Sequence, residues 1–414
     1  MYKIKKGSTV LVGCTKREDY VEFINKYNTM FQIKAIYDDQ CVLTDEKIEQ
    51  VPVYKEETLS FGYDNIIVVG DNWKYTVNRL FSRGFLPFRD FVTAWVLELY
   101  LNSSVLSYSK LKEYISKKRN QCIADYIRFV SYDKKIALVY GNCQIPFLVR
   151  FLSRTTEFIR EYTLLSVPPI HTLRDEKENG FDSGMLKMVQ LFIYQNIKQD
   201  NKFSKKLASD TIINFIGINC KKVSIPNVFF KGYFPQLGPN PNNPCIGSKY
   251  NAEGLFPYGD ENIRSMLAAG MDASQILKHI SAKDFYHQDD VKRKAELSIQ
   301  ELKEREQKCD VKISDFIEQH YKEHRLFYVP NHPTNFVIKE LACRILSYLG
   351  YKNCTMNIKN IPENDNLEVP IYPSVARALD LKFNTKYTCF CRAYDSNPVD
   401  LEGYVTAYEK YCKE

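Results

Sequence analysis

A cysteine stands in this chain at an address that a structural thiol does not need. Residues 136–140 (IALVY) are an apolar run with the look of a buried strand. Gly141-Asn142-Cys143-Gln144 come next, and a helical pattern (QIPFLVRFLSR) begins at once. The unpaired amides and aligned dipoles of a helix start favour an anion and lower a thiol's pKa. The same amides can receive an oxyanion, and Gly141 permits a tight turn and close approach of a ligand. Cys143 is therefore a candidate nucleophile. Asn142 and Gln144 are placed beside it as oxyanion donors, and Gly141 as a ligand-binding turn. The competing reading is a small buried hydrophobe. A thiolate nucleophile needs a base within reach. His332 in VPNHPTNF, held between Pro330 and Pro333, is the first candidate. His171 is the second; it opens the charged stretch HTLRD, where Arg174 could meet a phosphate. Each competes with an ordinary packed or loop histidine. Gln195, with Asn196, could add an amide donor. His279, His287, His320 and His324 sit on charged helical stretches and read as solvated.

These residues are far apart in sequence, so the surrounding elements must bring them together. Residues 8–14, 31–39 and 65–69 read as strands, with helices at 16–28, at a short segment between 51 and 64, and at 73–84, closed by Gly84. That alternation argues a small doubly wound α/β unit. Gly13-Cys14-Thr15-Lys16 after the first strand is not the G-x-G-x-x-G dinucleotide fingerprint. Aromatic helices over 86–132 read as connectors. Five strands follow, at 136–140, 160–167, 189–194, 222–230 and 325–329, mostly separated by helices, which implies a mostly parallel sheet covered on both faces. Ligands of such sheets bind at the carboxyl ends of the strands. Those ends deliver Gly141 to Gln144, then 168–171 (PPIH), Gln195 with Asn196, 232–236 (GYFPQ) and 330–335 (PNHPTN), which suggests one cleft. Residues 171–180 and 237–248 read as irregular loops. Residues 259–324 read as a helical insertion with starts at Asp272-x-x-Gln275 and Ser281-x-x-Asp284. The charged helix 290–307 is a solvated face, and a terminal helix ends the chain.

Composition excludes several classes. The chain has 414 residues, enough for two or three domains. Its net charge of +7 is mild and spread out, with no basic run of the nucleic-acid kind. No stretch approaches the roughly 18 apolar residues of a membrane span. The N-terminus lacks a signal-peptide core, so a cytoplasmic protein is expected. The 12 cysteines are unpatterned, as in a reducing compartment. No metal is expected, because no Cys/His ligand spacing recurs.

Several stretches in series carry a resemblance. GNCQ after a strand, PPIHTLRD, LFIYQ, FFKGYFPQLG, GMDASQI and RLFYVPNHPTN follow the order seen in WcbI-like polysaccharide biosynthesis proteins, over about residues 134–350. The first unit resembles Rossmann-like domains fused to polysaccharide enzymes. The resemblance implies an α/β protein with domains at 1–105 (small Rossmann-like), 134–350 (three-layer SGNH/GDSL-like α/β/α, five-stranded sheet) and 351–414 (C-terminal extension), with 106–133 connecting. It also implies coenzyme A or acetyl-CoA as a substrate, a sugar of a capsular or other surface polysaccharide as acceptor, and other polysaccharide-assembly proteins as partners. In the SGNH pattern Cys143 replaces the nucleophilic serine, and His332 is the late histidine. The aspartate usually found three residues earlier is Val329 here, which leaves Asn331 to orient the imidazole. His171, Arg174, Arg150, Tyr233 and Asn335 are the implied coenzyme A or sugar contacts, with Arg154 and Phe234 nearby. The leading activity is O-acetylation of a sugar. An esterase or deacetylase on the same fold and a non-catalytic glycan-assembly module are the alternatives.

Overall fold

The computed structural model describes residues 7–13, 15–38, 43, 45–60, 62–70, 73–85, 90–94, 97, 105–109, 134–173, 180–200, 203–238, 256, 258–359, 361–363, 367–388 and 399–413. The chain divides into two compact units, Met1–Ile136 with Asp182–Val189, and Ala137–Phe181 with Gln190–Glu414. Within 86–132, expected as connecting helices, the described residues 90–94, 97 and 105–109 include two short strands, Val92–Thr93 and Val105–Ser107; the rest of that stretch and most of the loops at 171–180 and 237–248 lie outside the described residues.

The first unit begins β1 (Ser8–Gly13), α1 (Arg17–Tyr27), β2 (Gln32–Asp38), β3 (Lys47–Ile48), β4 (Val51–Lys55), β5 (Asn65–Val68), α2 (Trp73–Ser82) and β6 (Val92–Thr93). The strand β7 (Val105–Ser107) follows. The sheet runs β3-β4-β2-β1-β5-β6. Only the β3–β4 pair is antiparallel. Val10, Val12, Ala35, Ile66, Val68, Val77 and Leu80 form its core. The short helix expected between 51 and 64 is instead β4 followed by a single 3-10 turn, Glu56–Thr58. Val51, Val53 and Tyr54 favour a pleated strand. Glu56 is buried and pairs with Arg79 and Arg83, so its charge faces guanidinium groups rather than water. Gly84 closes α2 as expected, with φ of 88° and a Phe85 N–H to Leu80 carbonyl bond of 3.0 Å behind it.

The second unit is built on β8 (Lys135–Tyr140), β9 (Tyr162–Ser166), β10 (Val189–Gln195) and β11 (Lys221–Ile225), in the order β11-β10-β8-β9. The β10–β11 pair is parallel, from Leu191 opposite Lys221 to Gln195 opposite Ile225. Helices α3 (Ile145–Leu152), α4 (Thr156–Glu161), α5 (Ser183–Lys187) and α6 (Ser209–Phe215) stand between the strands in sequence. Residues 136–140 are fully buried, as an apolar run at the centre of a sheet must be. Two expected strands come out differently. The run at 222–230 stops at Ile225, because Pro226 has no N–H to continue the ladder. The segment 325–329 does not join the sheet. β12 (Phe327–Val329) pairs antiparallel with β13 (His332–Pro333), and Val329 faces His332 across the turn at 330–331. Pro330 and Pro333 leave it too few donors for a longer ladder.

The insertion holds α7 (Glu261–Ala268), α8 (Ala273–Ile280), α9 (Gln288–Glu306) and α10 (Ser314–His320), followed by α11 (Asn335–Leu349), α12 (Pro373–Ala378) and α13 (Leu401–Lys413). Asp272 and Gln275 form the expected capping box. Ser281, expected to start a helix, instead caps the end of α8, and the next helix begins at Gln288. Among the described residues no helix is long and apolar enough to cross a membrane.

Asp260 ties three of these parts together. It is fully buried and caps α7 through the N–H groups of Asn262 and Ile263, each at 3.1 Å. Tyr372 Oη donates to its other oxygen at 2.7 Å, and its own N–H donates to Tyr408 Oη at 3.2 Å. Burial outweighs these donors and pushes the carboxyl from 3.8 up to about 6. The folded state therefore favours the neutral form, and this contribution is lost as pH rises from about 4 through 6. Relative to Asp260→Asn, the native protein should lose about 2 kcal/mol of stability between pH 4 and pH 7. Paired denaturant titrations at the two pH values measure this; a pH-independent difference would show that the buried acid is not protonated.

Candidate active site

The site is a set of loops at the ends of the sheet strands, laced by carboxamide side chains. Gly141 ends β8, and Gln195 of β10 closes over it. A methyl group built on Gly141 would lie 2.4 Å from Gln195 Oε1. That oxygen accepts the Asn142 N–H at 2.8 Å. Gln195 Nε2 donates to Gln144 Oε1 at 3.0 Å and to the Pro226 carbonyl at 3.3 Å. Gln144 Nε2 donates to the carbonyls of Val228 (2.6 Å) and Asn331 (2.8 Å), and its Oε1 also accepts the Val228 N–H at 3.1 Å. Both glutamines are 2% exposed. The Gly141 carbonyl accepts the Ile170 N–H at 3.0 Å.

One network thus holds the turn 141–144, the loop after β9, the end of β10, residues 226–228 after β11, and the 330–331 turn. Cys143, half-buried, lies in that turn between two anchored neighbours. It precedes Gln144, the residue that caps α3, rather than lying on the helix itself. His332 follows Asn331 directly, so the Gln144–Asn331 bond fixes the cysteine turn against the histidine turn.

His332 is largely buried, and burial lowers its imidazole to about 4. Its Nδ1 is buried and has no hydrogen-bond partner among the described residues. The expected orienting contact from Asn331 is absent: Asn331 Oδ1 accepts from Tyr258 Oη, and its carbonyl serves Gln144.

Other expected site residues divide. The Gln195 side chain and the Gln144 backbone amide were expected as oxyanion donors; the Gln144 N–H instead donates to Asn142 Oδ1 at 3.0 Å, and the Gln144 side chain turns inward beside Gln195. Both protons of each carboxamide are already engaged inside the protein, so these groups hold the loops. His171 is exposed and next to the anchored Ile170. Arg174 lies outside the described residues. Arg150 lies 4.6 Å over the Phe147 ring and reaches the Pro362 carbonyl at 3.5 Å. Asn335 Nδ2 donates to the carbonyls of Ile361 and Pro362, and its N–H to Glu363. These two residues therefore meet at the 361–363 segment rather than in the glutamine network. Arg154 Nη1 is buried without a hydrogen-bond partner among the described residues. Tyr233, expected as a cleft lining, is fully buried; it packs on Phe230 and Phe234 and donates to the carbonyls of Tyr321 and His324. Phe234 is buried as well.

Sequence reasoning missed Asn227, Val228 and Tyr258. The signal for the first two was Pro226, which ends the strand earlier than the apolar run suggests. Among the described residues no group of three or more His, Cys, Asp and Glu side chains is arranged to hold a metal ion.

A family model described as polysaccharide biosynthesis enzyme WcbI matches residues 136–353. The chain belongs to this family. The match spans more than half of the protein, from the strand before Cys143 to beyond α11. A solved structure described as native WcbI, a polysaccharide biosynthesis enzyme, without a disulfide bond between coenzyme A and a cysteine, aligns at a TM-score of 0.56. Its identity is 23%, over 68% of this chain and 90% of that one, so the likeness speaks for the fold. No curated protein matched the chain.

Two outcomes test the network. Gly141→Ala should displace the Gln195 side chain, strip the Asn142 N–H of its acceptor, and cost about 3 kcal/mol in a denaturant melt. A change below about 0.5 kcal/mol would mean that the close approach is not fixed. The His332 imidazole, followed by NMR, should stay neutral from pH 8 to 5 and titrate near 4; a midpoint near 6.5 would show it to be solvated.

Proposed function

We propose that the protein is a cytoplasmic acyltransferase that moves an acetyl group from acetyl-CoA to a hydroxyl of a sugar in surface polysaccharide biosynthesis. The observation that carries this reading is the Gln144–Asn331 tie. It holds a half-buried cysteine turn beside a histidine that burial keeps neutral. Membership of a polysaccharide biosynthesis family supplies the substrate class. The solved WcbI structure, whose description names coenzyme A and a cysteine, supports the acyl donor.

In this reading Cys143 Sγ attacks the thioester carbonyl of acetyl-CoA while His332 takes the thiol proton. The carbonyl oxygen carries the transient negative charge, and coenzyme A leaves with the proton from His332. The acetyl group passes from one thioester to another, so the exchange is close to isoenergetic. The sugar hydroxyl then attacks the acetyl-cysteine, gives its proton to His332, and frees Cys143. If no acetyl-cysteine forms, His332 takes the proton from the sugar directly, and Cys143 lines the pocket. His171, Arg174, Arg150 and Arg154 are the candidate partners of the coenzyme A phosphates.

Intact-mass spectrometry after incubation with acetyl-CoA tests the reading. The native protein should gain one acetyl group, and Cys143→Ala should gain none. His332→Ala should bind coenzyme A but acetylate its cysteine at least about 10²-fold more slowly. Sugar acetylation that persists in Cys143→Ala selects direct transfer. Neither adduct, transfer nor coenzyme A binding would overturn the assignment.

A further inference from the structure

We propose that Asn227 is a catalytic oxyanion donor, and that its carboxamide N–H, together with that of Asn142, receives the charge that forms when Cys143 attacks a carbonyl. The proposal rests on the acyl-transfer reading above. Its basis is the direction of a short chain of hydrogen bonds.

The chain starts at a group whose polarity is certain. The Gln144 backbone N–H donates to the Asn142 side chain at 3.0 Å, so the atom it meets must be Asn142 Oδ1. Asn142 Nδ2 is therefore the other arm, and it donates to Asn227 at 2.7 Å. The atom of Asn227 that accepts must be Oδ1. Asn227 Nδ2 then points away from Asn142, on an exposed residue, with no partner among the described residues. Carboxamide orientations that ordinarily have to be assigned are fixed here by one backbone donor.

Elimination leads to the same residue. Gln144 and Gln195 have no amide proton to spare, and the Asn142 N–H is held by Gln195 Oε1. What remains in this carboxamide network is the second Nδ2 proton of Asn142 and both protons of Asn227. Asn142 directly precedes Cys143 in the chain, and Asn227 is joined to the Asn142 side chain by the 2.7 Å hydrogen bond. Asn227 is also held in place: Pro226 before it accepts from Gln195, and Val228 after it is bound at both its N–H and its carbonyl by Gln144. Donors fixed before the charge appears stabilise it without reorganisation.

The step balances as follows. Cys143 Sγ forms a bond to the carbonyl carbon, and the C=O π pair moves onto oxygen, where Asn227 and Asn142 donate to it. Collapse restores the C=O bond and breaks the bond to the leaving group, which takes the proton that His332 received from the thiol.

Asn227→Asp is the discriminating variant. It keeps an oxygen to accept from Asn142 but replaces the outward donor with a second oxygen. Asn227→Ala removes both. Acylation of Cys143 by p-nitrophenyl acetate and by acetyl-CoA, and alkylation by iodoacetamide, are followed by intact mass. Alkylation displaces iodide at a saturated carbon and forms no oxyanion. Acylation should fall about 10²-fold in both variants, while alkylation changes by less than about twofold. An equal fall in both reactions, no fall in either, or a native Cys143 inert to p-nitrophenyl acetate would overturn the assignment. Asn227-dependent acylation by p-nitrophenyl acetate without any by acetyl-CoA would keep the oxyanion site and remove the coenzyme A reading.

Discussion

The side chain of Gln144 spends its whole hydrogen-bonding capacity on other loops. Its two amide protons go to the Val228 and Asn331 carbonyls, and its oxygen accepts from Val228 N–H and Gln195 Nε2. Toward Val228 it behaves as a peptide unit does in a β-bridge, matching one donor and one acceptor of the same residue. No other side chain fits this place. Glutamate would set a carboxylate against two carbonyl oxygens, and asparagine is one methylene too short to span the same gap. Three segments that are remote in sequence, at Gln195, Val228 and Asn331, converge on one buried amide. Leaving any of these partners unpaired in the interior costs about 1–3 kcal/mol apiece. The geometry of the candidate site is therefore a consequence of this one residue being buried and fully satisfied.

Much of the arrangement was legible in the sequence because the sheet imposes it. Apolar runs alternating with helices placed β8 to β11, and the rule that ligands gather at strand ends then pointed to residues 141–144, 195 and 331–332. All of these meet in the glutamine network or border it. Gln195 was expected as a carboxamide donor to a reacting oxygen and Gln144 through its backbone amide, whereas the side chains of both hold the loops. A sequence gives the residue type, but whether an amide proton is free depends on every acceptor around it in space. Tyr233 was misplaced because FFKGYF reads equally as a cleft wall or as a packed aromatic cluster. Here the rings meet one another and Phe383 edge to face. The segment 325–329 was misplaced because three apolar residues before a proline fit both a sheet strand and a short ribbon.

That ribbon matters to the chemistry. A histidine on a true sheet strand would alternate with its neighbours between two faces. In the two-residue β13, His332 is instead held through the Val329 pairing and the prolines on either side of the turn. The turn is anchored from both directions, by Gln144 on the Asn331 carbonyl and by the Phe230 N–H on the Pro330 carbonyl at 2.9 Å. The backbone of His332 is fixed, while its Nδ1 is left without an acceptor. Position here comes from the main chain, where the triad pattern would draw it from a carboxylate.

A base lowered to about 4 is neutral at physiological pH but has little pull on a thiol proton. Its pKa is low because burial disfavours the imidazolium, and among the described residues no anion offsets that burial. Reaction changes this balance. A thiolate, or an oxyanion formed on the substrate in the proposed reaction, would be that opposite charge, and in a partly dehydrated pocket its effect on the imidazolium is larger than in water. In the proposed reaction, the basicity of His332 should therefore rise as the charge it would help to create appears and fall again when that charge is gone. Such a group resists protonation at rest and accepts a proton only alongside bond formation. That asymmetry disfavours a standing thiolate–imidazolium pair and ties the ionisation of Cys143 to the presence of a ligand.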